Sequence, residues 1–181
     1  MTSQEFFMGI DPGTTGAVVL VRQNGSVVPM DIYKMPSDDP TLIRLLKFLQ
    51  PRTLLATIEA QHAFPNTRPM PDGTVRYQNQ TGQVKFIGHY QFLRGLLIGL
   101  GYPVETVQPA SWQRALGCLT KGNKSVSKEL ATKLFPEVQV TLWNADALLI
   151  AEFGRRKTLG IRPQIRVDYK GVSTGAQDDC F

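Results

Sequence analysis

Phe7-Met8-Gly9-Ile10-Asp11-Pro12-Gly13-Thr14-Thr15-Gly16 runs straight into Ala17-Val18-Val19-Leu20-Val21. A short apolar run ends on a carboxylate, Pro12-Gly13 turns the chain, and a second apolar run leads away. The pattern is a β-hairpin with an acid at the tip of its first strand. Gly13 and Gly16 lack a Cβ, so a charged ligand or a metal can come close to the backbone there. A solvated turn acid would leave the same local pattern, and the rest of the chain has to decide whether Asp11 has company.

Working outward, Asn24-Gly25 is a tight-turn signal, and residues 26–33 read as a third, antiparallel strand. After a loop from Pro36 to Pro40, Thr41 can cap a helix carrying Leu42, Leu45, Leu46 and Leu49 on one face, ended by Pro51. Thr53-Leu54-Leu55-Ala56-Thr57-Ile58 is a continuous apolar run, the pattern of a strand buried on both faces, and it finishes on Glu59. Residues 60–78 hold an Asp72-Gly73 turn but no clear period; a loop this long inside one domain is usually functional or disordered. A helix follows over 81–100, with Phe86, Tyr90, Leu93, Leu97 and Leu100 along one stripe and Gly101 as its stop. Residues 104–107 form a short strand, and Pro109 starts a short helix through Trp112. After the polar Lys121-Gly122-Asn123-Lys124 turn a further helix runs to Phe135. A last helix over 143–156 puts Asp146 on the same side as Leu149, Ile150 and Phe153. Beyond Gly160 the pattern fades. The reading is an α/β domain over 1–160 with a basic tail over 161–181. Its mixed five-stranded sheet, three antiparallel strands and then parallel ones, is flanked by helices.

At 181 residues with 42% apolar content the chain fits one domain with a real core. No apolar run is long enough to span a membrane. The N-terminus lacks a secretory pattern, so a cytoplasmic setting is expected, with an organellar stroma or matrix as the other option. Cys118 and Cys180 are far apart, and His62 and His89 are scattered, so any metal would be held by oxygen. The net charge of +5 suits a polyanionic partner. Lys121, Lys124, Lys128 and Lys133 fall in one segment, which a solvated helix face explains about as well as DNA does. The denser group of Arg155, Arg156, Lys157, Arg162, Arg166 and Lys170 favours nucleic acid modestly.

Parallel strands end on the same side, so Asp11 and Glu59 can be neighbours. Asp146 is the informative acid, because an ionised carboxylate on an apolar helix stripe is costly unless it is paired or binds a metal. If that helix packs on the sheet edge, Asp146 joins the other two. Three close carboxylates repel one another, and a divalent cation relieves the repulsion. Two ions about 4 Å apart can activate a water and steady the leaving oxygen of a phosphodiester.

Taken together, the chain resembles the RuvC-type Holliday-junction resolvases, most closely the phage, bacterial and plant-chloroplast branch. The resemblance rests on Gly9-Ile10-Asp11-Pro12-Gly13, Ile58-Glu59, Val107-Gln108-Pro109 with Trp112-Gln113, residues 121–127, Leu134-Phe135-Pro136 and residues 145–156. The first motif is shared with sugar kinases and actin-like ATPases, but those need two such domains. The resemblance implies a ribonuclease H-like fold and a homodimer. It implies Mg²⁺- or Mn²⁺-dependent hydrolysis, with two ions per site, at a four-way DNA junction, and no nucleotide cofactor. Carried over by position, Asp11, Glu59 and Asp146 are metal ligands, and Lys124 contacts phosphate near the cut. Phe64 stacks at the junction centre, unless it only packs within its loop. Arg68, Lys121, Lys128, Arg155 and Arg156 fill out the DNA surface. One departure stands out. The family carries a further acid three to five residues before the aligned Asp146, whereas Thr141, Leu142, Trp143 and Asn144 include none. Asn144 could offer a neutral oxygen instead. The departure keeps open a junction-binding protein with little or no cleavage, and beside it stands a related nuclease acting on structured RNA.

Overall fold

The computed structural model describes residues 5–61, 67–69, 72–73, 75–77, 80–119 and 123–161. Phe64, Lys121 and all but the first residue of the 161–181 tail lie outside them.

Strand β1 (Phe6–Ile10) is the centre of the sheet, and all five of its residues are buried. It pairs antiparallel with β2 (Ala17–Arg22), which pairs antiparallel with β3 (Ile32–Lys34). On its other side β1 pairs in parallel with β4 (Thr53–Glu59). Strand β5 (Thr67–Pro69) and strand β6 (Val75–Tyr77) form a separate hairpin, with Arg68 and Arg76 in register opposite one another. Strand β7 (Val104–Val107) pairs in parallel with β4. The five-stranded order is therefore β3-β2-β1-β4-β7, the mixed sheet that the sequence implies.

Alternation along the strands divides the core in two. Phe6, Met8, Ile10, Val18 and Leu20 pack with helix α1 (Asp39–Leu49) and helix α2 (Gln80–Gly99), through Leu42, Leu46, Leu49, Tyr90, Leu93 and Leu97. Ala17, Val19 and Val21 face helices α3 (Pro109–Ala115), α4 (Lys124–Leu134) and α5 (Ala145–Leu159). Helix α5 does not sit at the sheet edge. It lies across β1, β2 and β4, and residues 147–155 are all buried. The close approach depends on small residues. A Cβ at Gly9 would run into the backbone of Ala147 and Ala151, and one at Gly154 into the Thr57 hydroxyl.

Four local expectations are corrected. The third strand is shorter than residues 26–33, because Pro29–Asp31 forms a 3-10 turn before it. Asp38, not Thr41, caps α1: its Oδ1 accepts the Thr41 N–H at 2.8 Å. The 60–78 stretch is not wholly irregular, since it holds the β5–β6 hairpin. Phe86 leaves the core stripe of α2 and is partly exposed beside the Asp11 turn, where a Cβ on Gly13 would come within 4.0 Å of its ring.

Candidate active site

The register puts two acids side by side. Ile10 pairs with Ile58, so Asp11 and Glu59, the next residue on each strand, leave the same end of the sheet together. The Asp11 turn is held by its own backbone. Asp11 N–H donates to the Ala17 carbonyl at 3.1 Å, Gly16 N–H to the Gly13 carbonyl at 2.8 Å, and Gly13 N–H to Asp11 Oδ1 at 3.1 Å. A Cβ at Gly16 would collide with the Asp11 carbonyl, so only glycine lets the turn close this tightly. Asp146 arrives from the first turn of α5, the end of that helix that favours negative charge.

The three carboxylates feel one another. Burial raises the pKa of Asp11, the Gly13 N–H opposes the rise, Asp146 adds to it and Lys124 lowers it. Burial pushes Glu59 up to about 7; the Trp112 hydrogen bond works against this, Asp11 and Asp146 add to it, and Gln61 opposes it. Burial also raises Asp146, countered by Ser127 and Lys124. The Ser127 hydroxyl is buried and has no hydrogen-bond partner of ordinary geometry, yet it lies close enough to favour the charged form of Asp146. Cys118 is a buried free thiol that burial and then the Asp146 charge push up to about 12, so it stays protonated. Lys124 is brought in because Asn123 caps α4, its Oδ1 accepting the Ser125 N–H at 3.0 Å; Lys124 is then the first residue of the helix.

The donor set suits a hard divalent cation, with oxygen ligands only and mutual repulsion that a cation would relieve. As the side chains stand, no three acidic, histidine or cysteine groups among the described residues gather round one point. Both oxygens of Glu59 already have donors: Trp112 Nε1 reaches Oε1 at 2.8 Å and Gln61 Nε2 reaches Oε2 at 3.1 Å. The residues fit a cation in kind; in place they are near one another without converging on one point. Trp112, part of the Val107-Gln108-Pro109 and Trp112-Gln113 motif, reaches the site through this bond. The signal that marks it is chemical: a fully buried indole needs an acceptor for its N–H.

The basic residues divide. Lys124 and Lys128 are exposed on α4, and Arg68 is placed on β5 opposite Arg76. Arg155 and Arg156 are corrected: they turn inward. Buried Glu152 accepts Arg155 Nε at 2.7 Å, Arg155 Nη2 at 2.8 Å and Arg156 Nε at 2.6 Å, while Arg155 Nη1 donates to the Gln23 carbonyl at 2.9 Å. The guanidinium of Arg155 is thus spent fixing α5 to the end of β2. Asn144 is corrected as well. It is buried, its Oδ1 accepts the Thr141 N–H at 2.8 Å, and its Nδ2 donates to the Gln139 carbonyl at 3.1 Å. Its oxygen serves the turn before α5 rather than the acid cluster.

No family model and no curated protein matches the chain. Solved structures do. A Thermus thermophilus RuvC structure is 20% identical with a TM-score of 0.53, covering 84% of this chain and 95% of that one. T. thermophilus RuvC in complex with Holliday junction substrate is 18% identical with a TM-score of 0.54, covering 86% and 96%. At these identities the fold is what is shared, and the chain has the ribonuclease H-like α/β fold of RuvC.

Proposed function

We propose that this protein is a divalent-cation-dependent endonuclease that cuts opposed strands at a four-way DNA junction, as needed in recombination and repair. The observation that carries the proposal is the nearness of Asp11, Glu59 and Asp146, from β1, β4 and α5: Asp146 acts on Asp11, both act on Glu59, and Lys124 acts on Asp11 and Asp146. The fold supports it, since one structure of the same fold is RuvC with Holliday junction substrate. In this reading the three acids hold Mg²⁺ or Mn²⁺, two ions per site. When bound, the metal supplies charge to activate a water and to stabilise the leaving oxygen. Lys124, at the positively polarised start of α4, neutralises the phosphate beside the cut. Lys128, Arg68 and Lys121 extend the contact along the backbone, and Phe64 stacks on a base at the branch point.

Two opposed cuts call for two sites, hence a homodimer. Val84, Phe92 and Ile98 are exposed apolar residues on α2, and a second copy is the partner this reading gives them. The test is to incubate the protein with a labelled four-way junction, a linear duplex and a structured RNA, each with Mn²⁺, Mg²⁺ or chelator. Cation-dependent cutting of the junction alone is expected. Preferential cutting of RNA would make it an RNA-processing relative instead.

A second reading, junction binding with little cleavage, has one observation in its favour. No acid precedes Asp146 over residues 141–144, and the oxygen of Asn144 is already used. Tight junction binding with no product under Mn²⁺ is the result that would select it.

A further inference from the structure

Glu59 stands out because each of its oxygens is held by a neutral donor, and the two donors differ in kind. Trp112 is fully buried on α3, within the cluster formed by α3, α4 and α5 against the sheet. Its Nε1 donates to Oε1 at 2.8 Å across 53 positions of sequence. Gln61 is partly exposed, two residues beyond Glu59 on the same chain, and donates to Oε2 at the longer distance of 3.1 Å. An indole in a packed core cannot turn away without opening that core, and a buried N–H left without an acceptor is costly. A partly exposed glutamine amide can exchange its bond for one to water at little net cost.

We infer that Trp112 is a positioning residue that fixes Glu59 through Oε1, so that Oε2, now capped by Gln61, is the oxygen offered to a divalent cation. The inference rests on the cation-binding reading above and adds an order to it. The indole bond persists in both states, while the glutamine bond is given up on binding.

The test uses the full chain. With two tryptophans, the indole N–H signals of ¹⁵N-labelled protein are assigned with a Trp143→Phe variant. A Mg²⁺ titration should move the Trp112 signal saturably and leave the Trp143 signal in place. In parallel, calorimetry with Mn²⁺ compares the parent, Trp112→Phe and Gln61→Ala. Removing a group that orients a metal ligand weakens binding about tenfold or more, which is the expectation for Trp112→Phe, whereas Gln61→Ala should bind at least as tightly as the parent. If Trp112→Phe does not fold, the Mg²⁺ titration still decides. Cation binding with an unmoved Trp112 signal overturns the inference alone. So does a folded Trp112→Phe variant that binds as tightly as the parent, or a Gln61→Ala variant weakened as much as Trp112→Phe. A parent that binds neither ion overturns the cation reading and this inference with it.

Discussion

Glu59 gives up solvation and sits near two other acids, and its pKa is pushed up from 4.5 to about 7. A raised carboxylate binds its proton more tightly in the folded state. Its contribution to stability is therefore complete below pH 4.5 and is lost as pH rises through 7, on the order of 3 kcal/mol. Glu59→Gln, which cannot ionise, should raise the melting temperature of cation-free protein at pH 8 and change it little at pH 5. An equal change at both pH values would contradict the burial of charge at this position. That Asp11, Glu59 and Asp146 come near one another was legible in the sequence, because two of them end apolar runs that parallel pairing brings together and the third interrupts an apolar helix. The Trp112 bond was not, because no local pattern connects residues 53 positions apart. Arg155 and Arg156 misled because a run of basic residues records charge and not burial; Glu152, three and four residues before them, is what turns both inward.

At the scale of elements, the approach of α5 to β1 fixes where Asp146 stands. Gly9→Ala would place a methyl against the α5 backbone, which has nowhere to move, and should destabilise the protein by about 3 kcal/mol. Urea unfolding checks this, and an unchanged midpoint would mean that α5 is not seated on β1. Arg155→Met should cost about as much, because Glu152 loses one of its two buried partners. It should leave junction affinity and its salt dependence alone, and a reduced salt slope would return Arg155 to the DNA surface. Strands β1, β2 and β4 were legible as apolar runs with turn signals at their ends, whereas the third strand, Ile32–Lys34, is short and follows the Pro29–Asp31 turn. The burial of α5 over residues 147–155 was less so: Arg155 and Arg156 read as part of a basic group until their pairing with Glu152 is seen. The β5–β6 hairpin escaped because three-residue strands rich in proline and arginine carry no periodic signal.

For the whole molecule, a basic chain of this fold should bind branched DNA largely through phosphate, and the slope of log affinity against log salt counts those contacts. Lys128→Ala should reduce that slope by about 1 without altering stability; an unchanged slope would place the DNA elsewhere. Asp11, Glu59 and Asp146, from β1, β4 and α5, are proposed to form one catalytic centre, and Asp146 is the one that stands on the first turn of a helix. The direct test measures binding and cleavage of a labelled four-way junction by the parent and by Asp146→Asn, with Mg²⁺ present. The parent should cut the junction, and the variant should fold, bind it with the parent's affinity and yield no product. A variant that still cuts, or one that loses binding and cutting together, would contradict this assignment.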